Sequence, residues 1–528
     1  MTAEMVRLRG TPVAPGLAFG PLVRLGGTMH VARAHTSRDD ERDALVAALA
    51  AAQDDLARIL AAATNTDEQG IVAFQIALLE DEELTNPAHA AIQAGETADT
   101  AWRLAMHVQI EDYTSSDSEY FRARAADLRD LYERVSGHLA GKVVEDIPRG
   151  AIVVADDLAP SRFLATDWSD GGLVLHRSGA TSHVAILARA RGVPMLIGVE
   201  AAALDGHSQA LLDAHNGLLI LDPDAKTRAA FDTQRKAHAL QQIADARYLE
   251  REARTRAGER VRVLINVAGP DDLEMLDSSH VDGIGLVRTE FLFHGRDHLP
   301  DEEEQYRVYR RLVEWAEGKP VTIRTLDAGG DKPIPGLTRE HESNPFLGVR
   351  GVRLSLRHPQ VLSVQLRALA RAAVGANLKV MIPMVTLPEE LERCRELLAR
   401  AVADLMAEGK SAASPPLGMM VEVPAAALAV EEFDAAFYSV GSNDLIQYLS
   451  AASRDEPQLT SLTLPGTAFL RVIRAICAHG NREGREVSLC GDLASDSRYI
   501  PALLECGLRT LSVAPAALAA VKATIAKC

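Results

Sequence analysis

Along the first quarter of the chain, apolar residues recur at helical spacing. Residues 38–64, RDDERDALVAALAAAQDDLARILAAAT, set Leu, Ile, Val and Ala three or four positions apart, with acids and arginines between them. Residues 68–83, 97–113 and 118–140 repeat the pattern between Gly, Pro and Ser breaks. These segments predict amphipathic helices, a block of roughly 110 residues whose charges form a solvated face.

From about Gly150 the texture changes. AIVVADD, GGLVLH, PMLIGV and GLLILDP are short β-prone runs bounded by Gly, Asp and Pro. Between two of them, SGATSHVAILARARG reads as a turn feeding a helix. Residues 224–257 hold no Pro or Gly and are mostly polar, which predicts a long exposed helix linking two domains. Beyond it, apolar runs alternate with helical segments. The strand candidates lie at 261–268, 283–288, 321–326, 379–385, 417–423, 436–441, 486–490 and 510–514. That alternation predicts a C-terminal (β/α)8 TIM-like barrel within a multidomain α/β protein.

Composition narrows the class. The 528 residues are 47% hydrophobic and 24% charged, as a soluble globular chain requires. Asp and Glu total 73 against 56 Lys and Arg, a net charge of −17, which argues against a general nucleic-acid binder. An anionic substrate remains open, because a few arginines in one cleft outweigh a distant acidic surface. Cys394, Cys477, Cys490, Cys506 and Cys528 form no CxxC pair, so neither a disulfide framework nor a zinc finger is expected. The first twenty residues lack the apolar core of a signal peptide, and no uncharged apolar run reaches ~18 residues. The expectation is a cytoplasmic enzyme without membrane insertion.

In a barrel of this kind the chemistry stands on the loops after the strands. The second candidate strand ends in Arg288, the third in Arg324 and the fifth in Glu422; the sixth runs into Ser442-Asn443-Asp444 and the seventh ends in Cys490. The loop after the third adds Asp327, Lys332, Asn344, Arg350 and Arg353. Guanidinium forks bind phosphate or carboxylate oxygens and stay charged at any physiological pH. Mg²⁺ takes one or two carboxylates plus substrate phosphate, a task for Glu422 and Asp444. A thiol with a reference pKa of about 8.5 is mostly protonated at neutral pH, so Cys490 can donate a proton. A substrate with a phosphate, a carboxylate and a carbon awaiting protonation uses all three, and phosphoenolpyruvate is such a substrate. Taken singly, an Arg is as readily a structural ion pair, a Cys a small buried residue and Glu422 a helix cap; the convergence on successive strand ends favours the site.

His183 opens the predicted helix after Thr181 and Ser182, two capping residue types. Read alone it is a packing or capping residue. The helix start also offers N–H donors to a phosphate, and a neutral imidazole nitrogen can accept a phosphoryl group.

TSHVAILAR (181–189) resembles the phosphohistidine signature of the phosphoenolpyruvate–protein phosphotransferases, Enzyme I of the bacterial sugar phosphotransferase system. GIGLVRTEFLF, RTLDAGGDK, NPFLGVRGVR, MMVEVPAA, GSNDLIQY and CGDLA resemble the family's barrel motifs in order, and the likeness runs from GTPVAPGLAFG at Gly10 to the end. The resemblance implies that His183 takes the phosphoryl group and passes it to a histidine of the carrier protein HPr. It implies that Arg288, Arg324, Arg350, Asn443 and Arg454 bind phosphoenolpyruvate, that Glu422 and Asp444 hold Mg²⁺, and that Cys490 protonates the enolate to pyruvate. The domains it implies are a phosphohistidine α/β domain (1–24 and 146–223), an inserted helical HPr-binding subdomain (25–145), a linker helix (224–258) and a phosphoenolpyruvate-binding barrel (259–528), the last forming a homodimer.

The chain departs from the family where Asp-x-Gly-Gly usually precedes Thr-Ser-His. Here the residues are His176, Arg177, Ser178, Gly179 and Ala180, which changes the charge and freedom of that turn. Two other readings stand beside the phosphotransferase. One is a phosphoryl-state regulator with weak turnover. The other is a pyruvate phosphate dikinase-like enzyme, disfavoured because only about 145 helix-rich residues precede the phosphohistidine region and no GxxxxGK[ST] loop occurs.

Overall fold

The computed structural model describes residues 5–25, 36–62, 66–115, 119–141, 147–176, 182–199, 206–274, 276–293, 298–329, 334, 336–338, 342, 344–453, 459, 462 and 464–528. The chain forms two compact units, Met1–Ala237 and His238–Cys528.

In the first unit, β1 (Val6–Arg9), β2 (Thr11–Ala14) and β3 (Leu17–Leu25) join one eight-stranded sheet with β4 (Ile152–Ala155), β5 (Gly172–Leu175), β6 (Met195–Ile197), β7 (Gln209–Asp213) and β8 (Leu218–Leu221). The order is β1-β8-β7-β3-β4-β5-β6-β2. β3 serves two neighbours: Leu17–Pro21 pairs antiparallel with β7, and Leu22–Leu25 pairs parallel with β4. The switch brings Gly20 so near Gly150 that an added Cβ would stand 1.8 Å from its carbonyl oxygen, so only glycine fits there. β4 and β5 are buried along their whole length because both faces are covered, and such strands read as unbroken apolar runs. Val153, Leu173 and Leu175 face one core; Ile152, Val154 and Val174 face the other, the two-residue period of a strand.

Among the described residues between β3 and β4 there are five helices, Arg38–Ala62, Thr66–Glu80, Glu82–Ala94, Ala98–Ser115 and Glu119–Leu139. The sequence pattern predicts four, because Pro87 reads as a break. Instead Pro87 lies inside the helix Glu82–Ala94. Asp81 caps its start by accepting from Glu83 N–H at 2.8 Å, Gly95 ends it in the left-handed region, and Leu84, Ala88 and Ile92 bury one side of it. Packing and caps together outweigh the cost of about 3 kcal/mol that an interior proline carries.

The second unit is a closed barrel of eight parallel strands in chain order: β9 (Arg262–Val267), β10 (Ile284–Val287), β11 (Val321–Arg324), β12 (Leu378–Ile382), β13 (Leu417–Val421), β14 (Phe437–Gly441), β15 (Glu486–Cys490) and β16 (Thr510–Val513). All eight fall on the predicted runs. One core packs the strands against the surrounding helices, and a small cluster of Leu286, Met381, Met420, Phe437 and Cys490 lies apart from it.

The helix predicted over 224–257 spans Ala225–Ala246, ending earlier than its composition suggests. Tertiary capture overrides propensity there. Leu249 packs on the barrel core, and the buried Lys522 ammonium donates to the carbonyls of Leu249 (2.7 Å), Arg251 (3.0 Å) and His280 (2.6 Å). A turn that presents two carbonyls to one cation cannot continue as helix.

Candidate active site

The strand ends of the barrel converge on a buried network of alternating charge. β11 ends in Arg324, which is 5% exposed, and the loop beyond brings Asp327 and Arg350, at 0% and 1%. Asp327 lies between the two guanidinium groups: its Oδ2 is 3.1 Å from Arg324 Nη1 and 2.9 Å from Arg350 Nη2. Arg350 Nη1 continues to Asp444 Oδ1 at 3.2 Å, and Arg324 Nη2 pairs with Glu290. Burial works against both arginines, but the surrounding carboxylates more than compensate and hold them fully charged. The aliphatic stem of Arg350 passes over Gly329, whose φ of +101° and close approach (2.7 Å from an added Cβ to Arg350 Cβ) both demand glycine.

Asn443 and Asp444 stand in the first turn of the helix Ser442–Ser450, directly after β14, where a carboxylate meets the positive end of the helix. Asn443 Oδ1 accepts from Asp492 N–H at 3.0 Å, which ties this turn to the one after β15. Glu422 follows β13 and accepts from Met384 N–H at 2.7 Å. Burial, then repulsion from Asp444 and Asp327, pushes its carboxyl up to about 8, although Arg324 and Arg350 oppose the shift. Two oxygen donors that repel each other are the set a hard divalent cation relieves. Among the described residues no group of three or more His, Cys, Asp or Glu converges on one point, so such an ion would complete its shell with substrate and water.

Cys490 closes β15 at 2% exposure. Its Sγ donates to Val440 O at 3.5 Å and accepts from Ser439 Oγ at 3.6 Å. Burial raises the thiol pKa, with Glu422 adding to the rise and Ser439, Arg324 and Arg288 opposing it. Arg288, exposed one residue beyond β10, is thus within electrostatic reach of the thiol. The geometry joins Arg324 to Arg350 through Asp327 and Arg350 directly to Asp444, with Glu422 and Cys490 around them. Arg353 is spent elsewhere, donating to Gly348 O and Thr386 Oγ1. Arg454, Lys332 and Thr181 lie outside the described residues.

Two members were not singled out from the sequence. Glu290, within RTEFLF, pairs with Arg324, and Tyr448 donates to Phe346 O at 2.6 Å while accepting from Arg350 Nη1 at 3.4 Å. Their positions in the motifs RTEFLF and SNDLIQY are the only signal the chain offers for them.

In the first unit, His183 is the first residue of the helix His183–Arg191, and its side chain lies outside the described residues. Ser182 caps that helix by accepting from Ala185 N–H at 3.2 Å, and Gly192 ends it in the left-handed region. Val184, Ala185, Leu187 and Ala188 bury its inner face against the sheet core.

Three family descriptions match the chain in turn. "PEP-utilising enzyme, N-terminal" covers residues 9–124, "PEP-utilising enzyme, mobile domain" covers 147–217 and "PEP-utilising enzyme, PEP-binding domain" covers 243–528. The phosphoenolpyruvate-protein phosphotransferase of Bacillus subtilis is 33% identical, over 99% of this chain and 95% of that protein. That of Geobacillus stearothermophilus is 34% identical over 98% and 93%, and that of Listeria monocytogenes 36% identical over 86% and 81%. A relation of this depth along nearly the whole length leaves one assignment: the chain belongs to the phosphoenolpyruvate-protein phosphotransferase (Enzyme I) family.

Proposed function

We propose that His183 is the phosphoryl acceptor of this chain and that the barrel site described above supplies it from phosphoenolpyruvate. As an Enzyme I, the chain moves the phosphoryl group of phosphoenolpyruvate through a histidine to HPr, the first step of the sugar phosphotransferase system. Arg288, Arg324 and Arg350 bind the phosphate and carboxylate oxygens, with Asn443 and Arg454 beside them. The observation that carries this is the pair Arg324 and Arg350, both buried and both bound to one carboxylate, Asp327. Side chains held this way are fixed before substrate arrives and have little entropy left to lose.

The reaction balances on these groups. The bond from phosphorus to the C2 oxygen breaks, and a bond from phosphorus to an imidazole nitrogen of His183 forms. The electron pair stays on the oxygen, leaving an enolate. C3 then takes the thiol proton of Cys490, giving pyruvate, and the thiolate recovers its proton from water. Held by Glu422 and Asp444, Mg²⁺ supplies charge neutralisation at the phosphate oxygens when bound.

The domain roles follow: residues 1–24 and 146–223 carry the phosphohistidine, 25–145 dock HPr, 224–258 link and 259–528 bind phosphoenolpyruvate and pair as a homodimer. Among the described residues no helix is long and apolar enough to cross a membrane. We place the reaction in the cytoplasm, where free thiols and the carrier coexist.

The test is incubation with ³²P-phosphoenolpyruvate and Mg²⁺, followed by mapping of the label. The expected result is acid-labile label on His183 with matching pyruvate release, and none in His183→Ala although that protein still binds phosphoenolpyruvate. Label that persists in His183→Ala would sink the assignment.

A further inference from the structure

Gln365 lies in the middle of the helix Pro359–Ala372, whose other core-facing residues include Leu362, Leu366 and Leu369. It is 1% exposed. A buried amide is costly unless its polar atoms are all met, and an apolar residue would satisfy the helix pattern equally well. Here every atom is met. Gln365 Oε1 accepts from Leu326 N–H at 2.9 Å, and Nε2 donates to Thr289 Oγ1 at 3.2 Å and to the Tyr309 hydroxyl at 3.0 Å. Leu326 N–H can only donate, so the oxygen of the amide must face it and the orientation is fixed.

The neighbours continue a chain that runs one way. Thr289 Oγ1 donates to Arg324 O at 2.9 Å, Tyr309 donates to Gln305 Oε1 at 3.0 Å, and Gln305 Nε2 donates to Pro300 O at 3.0 Å. Thr289, Tyr309 and Gln305 are themselves buried. Thr289 directly follows Arg288, and Leu326 stands between Arg324 and Asp327. One amide therefore joins the two backbone segments from which Arg288 and Arg324 project.

We propose that Gln365 is a positioning residue for phosphoenolpyruvate: its amide fixes the spacing of the loop after β10 against the loop after β11, and thereby the spacing of Arg288 and Arg324. This rests on the reading of those arginines as substrate-binding. Removing the amide leaves Leu326 N–H buried without an acceptor and deprives Thr289 of the donor that orients its hydroxyl toward Arg324 O. Both arginine-bearing segments are then free to shift, although no side chain that touches substrate has changed.

The experiment is steady-state kinetics of Gln365→Met, which keeps the side-chain length and removes the hydrogen bonds. The expected result is a roughly tenfold rise in the KM for phosphoenolpyruvate, with kcat per folded molecule changed far less. Leu366→Ala, on the same helix, is the control: it lowers the melting temperature and leaves KM unchanged. Tyr309→Phe raises KM more modestly, and adds nothing further in the Gln365→Met background because the chain is already cut. A KM within about twofold of the parent in Gln365→Met overturns the proposal, as does an equal rise in Leu366→Ala. Arg324→Met in the same assay separates the two layers. If it raises KM while Gln365→Met does not, only the positioning role falls; if neither does, the site assignment falls with it.

Discussion

A neutral thiol donates to the Val440 carbonyl from the end of β15, and a thiolate could not make that contact. Burial is the first cause of the raised Cys490 pKa, and the Glu422 charge adds to it. The donor form is the protonated one, so it is lost only as the pH rises through a value above the ordinary thiol figure. Loss of the thiol proton is therefore expected to slow single-turnover pyruvate release only beyond about pH 8.5, as a decline that Cys490→Ala lacks. Cys490→Ala should slow release by about a hundredfold or more at every pH while substrate binding holds within about twofold. An alkaline decline that persists at the same pH in Cys490→Ala would contradict the proton-donor role, and equal losses in rate and binding would reduce the thiol to packing. Cys490, Arg324, Glu422 and Asp444 were legible in the sequence because strand ends are marked by the apolar runs before them. Asp327 was visible only as one polar residue in a loop, since nothing in RTLDAGG states that its carboxylate lies between two arginines. Gln365 was not visible at all: a single Gln on a leucine-rich helix face carries no message until the fold places Leu326 and Thr289 beside it.

At the level of elements, strands buried on both faces were the easiest to read, and all eight of the barrel fall on the expected runs. Four strands of the first unit fall on no expected run: β1, β2 and β3 each include exposed and half-buried positions and carry no continuous apolar signal, and β7 is a short run that only its neighbours β3 and β8 identify as a strand. The helix Glu82–Ala94 escaped for the opposite reason, a strong local signal at Pro87 that tertiary contacts override. Its balance can be measured. Asp81→Ala removes the cap and is expected to destabilise the first unit by about 1 kcal/mol in urea titration. Pro87→Ala restores a helical hydrogen bond and removes a ring clash, and the expected sign is stabilising, by about 1 kcal/mol or more after the looser unfolded chain is counted. An unchanged midpoint in both variants would mean that packing of Leu84 and Ile92 alone holds the helix.

Across the whole molecule, each of the two units carries its own core, and the residues proposed for the chemistry are divided in the same way: the histidine that opens a helix in one, the arginines and thiol at strand ends in the other. Lys522 has a further consequence for the barrel. Its ammonium holds the final helix to the carbonyls of Leu249 and Arg251, and Arg256 N–H donates to Cys528 O at 2.9 Å. Residues 249–256, which lead into the barrel, are thus bonded to the helix Leu518–Ile525 and to residue 528, and the barrel is in effect a ring opened at one place. A circular permutant of residues 248–528 that joins residue 528 to residue 248 through a glycine linker and opens at the exposed turn around Gly409 should fold and bind phosphoenolpyruvate, because Leu249, Arg251 and Arg256 are kept and the bonds that close the ring are made without the peptide.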